Sequence, residues 1–197
     1  MMELLKLNNE NYLGIIKFVE RYGSITNEIC KNIFYNTKFG YDSSRRALNK
    51  LVDKKLLKKH KDLVTGTYIY YKTTAITTHK LQGLRLYSYI YAAADEVIEF
   101  SRECKCLKYI SDGLVIYKIN GITKILIIEI DINHKTTVEK YESLFDTGYF
   151  QEKFGTFPRV LIADANFQNR KKKLKSDKVL FECIDFNFTI EGIRELL

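Results

Sequence analysis

The stretch that most constrains this chain is Lys124-Ile-Leu-Ile-Ile-Glu-Ile-Asp-Ile132, preceded by Asn120-Gly121. Asn-Gly between apolar runs is the strongest short-range signal for a tight hairpin. A near-continuous apolar run is what a strand covered on both faces requires. Together they predict a hairpin of strands 114–119 and 124–132, with the second strand at the centre of a sheet. Side chains alternate along a strand, so Ile125, Ile127, Glu129 and Asp131 share one face, and Lys124, Leu126, Ile128 and Ile130 share the other. Two carboxylates then stand about 7 Å apart on an otherwise apolar strand. Buried acids without partners are costly, and each raises the pKa of the other. A metal ion or a basic partner is the usual remedy. Asp112, at the edge of the preceding strand, is placed to converge on them, and Asp112, Glu129 and Asp131 would form an oxygen-only set suited to Mg²⁺ or Mn²⁺. The competing expectation has no ion: the acids are half-exposed, or paired with Arg159, Lys135 or Lys140.

Around this hairpin the periodicity predicts a small α/β domain over residues 79–197. A long helix, 81–101, carries Leu86, Ile90, Ala94 and Val97 on one stripe. A short strand, 107–110, and a turn at Ser111-Asp112-Gly113 lead into the hairpin. A helix over 136–154, a strand over 157–163, an Arg- and Lys-rich helix over 166–176 and a strand over 179–186 complete it. The basic helix reads as a solvated face or as a second DNA contact. The Thr-rich segment 73–79 is the expected boundary with what precedes it.

Charge separates the two parts. Residues 1–78 hold 14 Lys and Arg against 7 Asp and Glu, whereas residues 79–197 hold 18 against 17. A basic module on a neutral one suggests a polyanion-binding head. In the basic module Tyr12, Ile15, Ile16 and Val19 recur at helical spacing, and Gly23 stops that helix. Thr26 is placed to cap a second helix, with Ile25 and Cys30 as its hydrophobic staple and Ile29 and Ile33 as its buried stripe. Asp42 or Ser43 would cap a third helix, from Ser43 to about residue 55, burying Ala47, Leu48, Leu51 and Val52. Two strands, 56–61 and 67–71, follow around a turn containing Gly66. Three helices and a basic hairpin make a winged helix-turn-helix, in which the third helix enters the major groove. Ser43, Ser44, Arg45, Arg46, Asn49 and Lys50 are the expected groove residues, since Arg can read guanine and Asn adenine. Lys58, Lys59 and Lys61 are the expected phosphate contacts.

Other classes are set aside. The longest apolar runs, such as Ile125 to Ile128, fall far short of the roughly 20 residues that cross a bilayer. Met1-Met2-Glu3-Leu4-Leu5-Lys6 has no basic region leading into an apolar core, so no secretory signal is expected. Cys30, Cys104, Cys106 and Cys183 form no CxxC, and His60, His79 and His134 are too scattered to complete a Cys/His metal site. Four thiols in a reducing cytoplasm is the expectation.

The combination Arg21-Tyr22-Gly23-Ser24-Ile25-Thr26, His79-Lys80-Leu81, Asp112-Gly113, Glu129-Ile130-Asp131 and Lys140-Tyr141 resembles the replication-relaxation family of plasmids and other mobile elements of bacteria, over about residues 11–165. That resemblance implies DNA binding linked to replication or maintenance of the element. The C-terminal string also resembles the PD-(D/E)XK nuclease fold, whose core order is helix, three strands, helix, strand. Its motif places an Asp on a hairpin strand and, on the next, a Glu or Asp two residues before a Lys. Asp112 and Glu129 match, but Asp131 occupies the lysine position. The lysine helps position and activate the attacking water and stabilises negative charge in the transition state. An Asp cannot do this, although Lys135 or Lys140 from the following helix could substitute; Lys124 faces the other way.

The expectation is therefore a cytoplasmic, sequence-specific double-stranded DNA-binding protein with no membrane segment: a winged helix at 1–78 and a mixed-sheet α/β domain at 79–197. The second domain is expected to be a degenerate nuclease, and palindromic sites suggest a homodimer. The alternatives are a Mg²⁺- or Mn²⁺-dependent DNA endonuclease or nickase, using Asp112, Glu129, Asp131 and Lys140, and a transcriptional regulator whose second domain binds a protein partner; a replication or mobilisation protein is a further candidate partner.

Overall fold

The apolar stripe of the first segment, Ile15, Ile16 and Val19, is buried on helix α1 (Glu10–Tyr22). The computed structural model describes residues 10–197, so the signal-peptide reading of residues 1–6 lies outside the described residues. Strand β1 (Ser24–Thr26) follows, then α2 (Asn27–Phe34). Thr26 caps α2 as expected, its hydroxyl accepting from the Ile29 N–H at 3.2 Å. Ile25, Ile29 and Cys30 are fully buried. On α2 it is Asn32, not Ile33, that joins them. Helix α3 (Gly40–Asp53) begins three residues ahead of the expected Ser43, and neither Asp42 nor Ser43 caps it: Phe39 holds the cap position without a side-chain bond. Strands β2 (Lys58–Lys61) and β3 (Tyr68–Tyr71) form the hairpin, and β1 pairs antiparallel with the other edge of β3, giving the order β1-β3-β2. Strand β1 was not expected; three residues between a glycine stop and a helix cap are too few to display a period of two.

Helix α4 (Thr78–Ala93) carries the chain out of this unit, and the division between two compact units falls within it, at Ser88 and Tyr89. The Thr-rich connector that composition points to, 73–79, lies upstream of this division. The helix ends at Ala93 rather than near Ser101, because strand β4 (Glu96–Cys106) begins there. Its partner is β5 (Tyr109–Ile119), from Glu96 opposite Lys118 to Cys106 opposite Tyr109. The turn between them is therefore at Leu107 and Lys108, not at Ser111-Asp112-Gly113, which lies inside β5. Asn120 and Gly121, with φ of 52° and 75°, turn the chain into β6 (Ile122–Asp131) as the Asn-Gly signal predicts.

After β6 come α5 (Val138–Asp146) and α6 (Tyr149–Phe154) in place of one continuous helix, then β7 (Arg159–Asp164), α7 (Phe167–Lys173), β8 (Phe181–Ile184) and α8 (Ile190–Leu196). The sheet order is β4-β5-β6-β7-β8, antiparallel from β4 to β6 and parallel from β6 to β8. The result is mixed α+β, with eight helices and this five-stranded mixed sheet among the described residues. Strand β6 is central, as its composition predicts. One face of it meets Tyr141, Leu144, Phe150, Val160, Ile162 and Phe181 in a single apolar core, with Ile127 at the middle. That face also carries Glu129 and Asp131. Among the described residues no helix is long and apolar enough to cross a membrane.

Candidate functional site

Two groups of polar residues stand out, one in each unit. In the first, α3 buries Ser44, Ala47, Leu48 and Leu51 at spacings of three and four and leaves Arg45, Arg46 and Lys50 exposed. All four residues of β2 are exposed, Lys58, Lys59 and Lys61 among them. Lys59 Nζ donates to Asn49 Oδ1 at 2.9 Å, which ties the hairpin to the polar side of α3. The same ammonium lies 5.3 Å from the Tyr68 ring centroid, and Lys50 lies 5.2 Å from that of Tyr12. Arg45 pairs with Asp42 at 3.1 Å, both largely in solvent, so the contact is weak and easily exchanged. Ser43 and Asn49 are half-buried on the same stretch. Ser44 does not belong to this face. It sits on the buried stripe, and its hydroxyl lies 2.5 Å from Asn27 Oδ1 and 3.0 Å from the Tyr41 carbonyl. A groove-reading role for Ser44 is corrected by this placement.

In the second unit, β6 delivers Glu129 and Asp131 to its C-terminal edge, both buried. Strand β5 brings Asp112 beside Glu129, one step beyond the Gly113–Ile128 pair. Its carboxylate turns toward the backbone and accepts from the Ile130 N–H at 2.8 Å, prolonging the ladder. Strand β7 brings in a fourth acid, Asp164, in register with Asp131.

Each of the three buried acids is paired with a cation, and Arg170 lies between two of them, 3.1 Å from Asp131 and 3.8 Å from Asp164. Glu129 Oε1 accepts from Lys140 Nζ at 2.5 Å and from the Tyr141 hydroxyl. Lys140 also donates to the Ile110 carbonyl at 2.8 Å. Burial pushes the Glu129 carboxyl above its ordinary value; Lys140 and Tyr141 offset this only in part, and the Asp112 charge adds to it. Burial, with Glu129 alongside, holds the Tyr141 phenol well above its ordinary value, so it remains a donor. Asp131 accepts from the Thr136 N–H at 3.0 Å and the Thr136 hydroxyl at 2.7 Å, and Arg170 lies 3.1 Å from it. Arg170 also donates to the Thr136 carbonyl. Asp164 pairs with Lys135 at 2.6 Å and accepts from the Asn166 N–H at 2.8 Å. Burial would raise its carboxyl, but the Lys135 hydrogen bond, the Asn166 N–H and the charges of Lys135 and Arg170 outweigh this, leaving it below the ordinary carboxylate value.

In this arrangement the acids are met by basic partners. Asp112, Glu129 and Asp131 do come to one sheet edge, but as separately satisfied groups. Among the described residues no set of three or more His, Cys, Asp or Glu is placed to hold a metal ion. Glu129 and Asp131 are instead paired with Lys140 and Arg170, so their charge is compensated by side chains of this chain. Of the basic partners considered from sequence, Lys140 pairs with Glu129, Lys135 takes Asp164 instead, and Arg159 donates to the Leu196 carbonyl. Asp164 and Arg170 have no site role in the sequence reading, and Tyr141 enters it only within the Lys140-Tyr141 motif. Asp164 falls one residue past the expected strand, and Arg170 stands in a basic run that reads as surface.

No family model matches the chain, and no curated protein does. The resemblance to the replication-relaxation family therefore rests on its short motifs. Among solved structures the chain is similar to a repair endonuclease from Pyrococcus abyssi, at 16% identity and a TM-score of 0.38, over 61% of this chain. The match takes in 53% of that endonuclease, so the chain spans about half of its length.

Proposed function

We propose that this protein binds double-stranded DNA through residues 1–78, read as a winged helix with α3 as its groove helix and the β2–β3 hairpin as its wing. The observation that carries this reading is the row of exposed cations on one helix and the adjoining hairpin: Arg45, Arg46 and Lys50 on α3, and Lys58, Lys59 and Lys61 on β2. Solvated lysines and arginines on one face are what neutralising a phosphate backbone requires. Arg45, Arg46, Asn49 and Ser43 are the base-reading set, and the hairpin lysines set register and strength. A homodimer on a palindromic site is the expected form.

In the same proposal residues 79–197 are a PD-(D/E)XK-like domain that does not cut. With Asp131 at the lysine position and the acids neutralised from within by Lys140, Lys135 and Arg170, the cluster holds the sheet edge together. The biological setting in keeping with the sequence motifs is the cytoplasmic replication or maintenance of a plasmid or other mobile element, alone or with a replication or mobilisation protein. The test is a gel-shift titration at low ionic strength against a site selected from random duplexes and against unselected duplex. Arg46→Ala should weaken the selected site more than the unselected one, and Lys59→Ala should weaken both alike. Equal losses from the two variants would contradict a sequence-reading helix.

A further inference from the structure

Leu63 and Val64 are each 95% exposed, side by side at the tip of the β2–β3 hairpin. Single exposed apolar residues need no explanation. These two are adjacent and held out by a built turn. Asp62 Oδ1 accepts from the Val64 N–H at 2.8 Å and the Thr65 N–H at 3.0 Å, and the Gly66 N–H donates to the Asp62 carbonyl at 2.8 Å. The Asp62 N–H in turn donates to the Thr67 carbonyl at 2.9 Å. The one acid of the tip is thereby spent on backbone, and the strand leading to it presents only Lys58, Lys59, His60 and Lys61. An apolar point on a cationic stem fits a target that is apolar within and anionic at its walls. A base step opened from the minor groove has this character: phosphates flank it, and stacked base faces lie inside.

We propose that Leu63 and Val64 are a wedge that enters the minor groove, unstacks a base step and bends the duplex. This rests on the DNA-binding reading above and adds to it a specific mode of contact. Leu is among the side chains that act as wedges of this kind, and the associated kinks run from about 20° to 90° toward the major groove. Pyrimidine–purine steps such as TA yield most easily, so bending should favour duplexes that place such a step under the tip.

The experiment uses the full chain and a 20-base-pair duplex with a central TA step and a dye at each end, about 68 Å apart at 3.4 Å per base pair. Binding is followed by anisotropy and end-to-end distance by energy transfer, at low salt. The wild type should bind and shorten the dye separation. Leu63→Asn/Val64→Asn, whose changes lie wholly in solvent, should still bind, within about tenfold of wild type, since the backbone contacts that dominate affinity are kept, but without shortening it. Bound wild type with an unaltered separation, or a double variant that bends as the wild type does, would overturn the wedge and leave DNA binding standing. No binding by the wild type would overturn both. Capture by phosphatidylserine vesicles that is lost in the double variant, with duplex bending unchanged, would assign the tip to a lipid surface instead.

Discussion

Lys140→Ala removes the cation from Glu129 and leaves the Tyr141 hydroxyl as its side-chain donor. The Glu129 side chain is 7% exposed and that of Lys140 23%, so solvent screens this pair little. Breaking a buried pair usually costs about 3–5 kcal/mol, because a charge is left uncompensated. Here Glu129 has an escape, since its carboxyl already lies above the ordinary 4.5. The cost of an unpaired carboxylate cannot exceed the cost of protonating it. That ceiling rises by about 1.4 kcal/mol for each pH unit above 4.5, so it is under about 1 kcal/mol at pH 5 and on the order of 5 kcal/mol at pH 8. The packing of the lysine stem and its bond to the Ile110 carbonyl add a part that does not vary with pH. Urea unfolding of wild type and Lys140→Ala at pH 5 and pH 8 should therefore give a destabilisation that is larger at pH 8, by up to about 4 kcal/mol. Adding Glu129→Gln should remove most of the difference, because an amide can stay neutral beside Tyr141. A penalty equal at the two pH values would refute the reasoning, since it would mean that Glu129 is not an ionised partner of Lys140.

Other measurements address separate links. Ser44→Ala should cost about 0.5–1.5 kcal/mol in urea unfolding, because it removes the hydroxyl's bond to the half-buried Asn27 amide oxygen, and should leave duplex affinity unchanged; a selective loss of affinity would return Ser44 to the groove face. The Asp164 carboxyl lies below its unfolded value near 3.8, so its contribution is present above that pH and is lost as pH falls through the lowered value. Asp164→Asn should therefore be less stable than wild type at neutral pH, the gap narrowing below about pH 4; a gap that widens in acid would contradict the assignment. Supercoiled plasmid incubated with the full chain and Mg²⁺ or Mn²⁺ should remain uncut, and nicking that disappears in Asp112→Ala would establish the endonuclease alternative.

The parts of the fold legible in the sequence are those dictated by local chemistry. Asn120-Gly121 specifies its turn through backbone conformation, and Thr26 its cap through one hydroxyl. The apolar run 125–128 points to a central strand. Misreadings arose where a partner distant in sequence decided the outcome. Leu86, Ile90, Ala94 and Val97 continue a helical stripe, yet the stretch from Glu96 is strand because β5 supplies its hydrogen bonds and Lys118 its cross-strand ion pair. Ser111-Asp112-Gly113 has the composition of a turn, but Gly113 is needed for close approach: a Cβ there would lie 3.0 Å from Phe100 Cε2. The site was half legible. Alternation along β6 put Glu129 and Asp131 together, and Lys140 was among the possible partners. Asp164 and Arg170 depend on the parallel pairing of β6 with β7 and on where α7 follows, which no local pattern encodes.

The measurement closest to the central claim is the affinity of the full chain for a 20-base-pair duplex, followed by anisotropy from 50 to 300 mM salt. Four or five phosphates neutralised by the cations of α3 and β2 give a slope of log K against log salt of about −4. Removing Lys58, Lys59 and Lys61 together should bring that slope to about −1 to −2. A duplex affinity that ignores salt, or a slope untouched by the triple variant, would contradict the account.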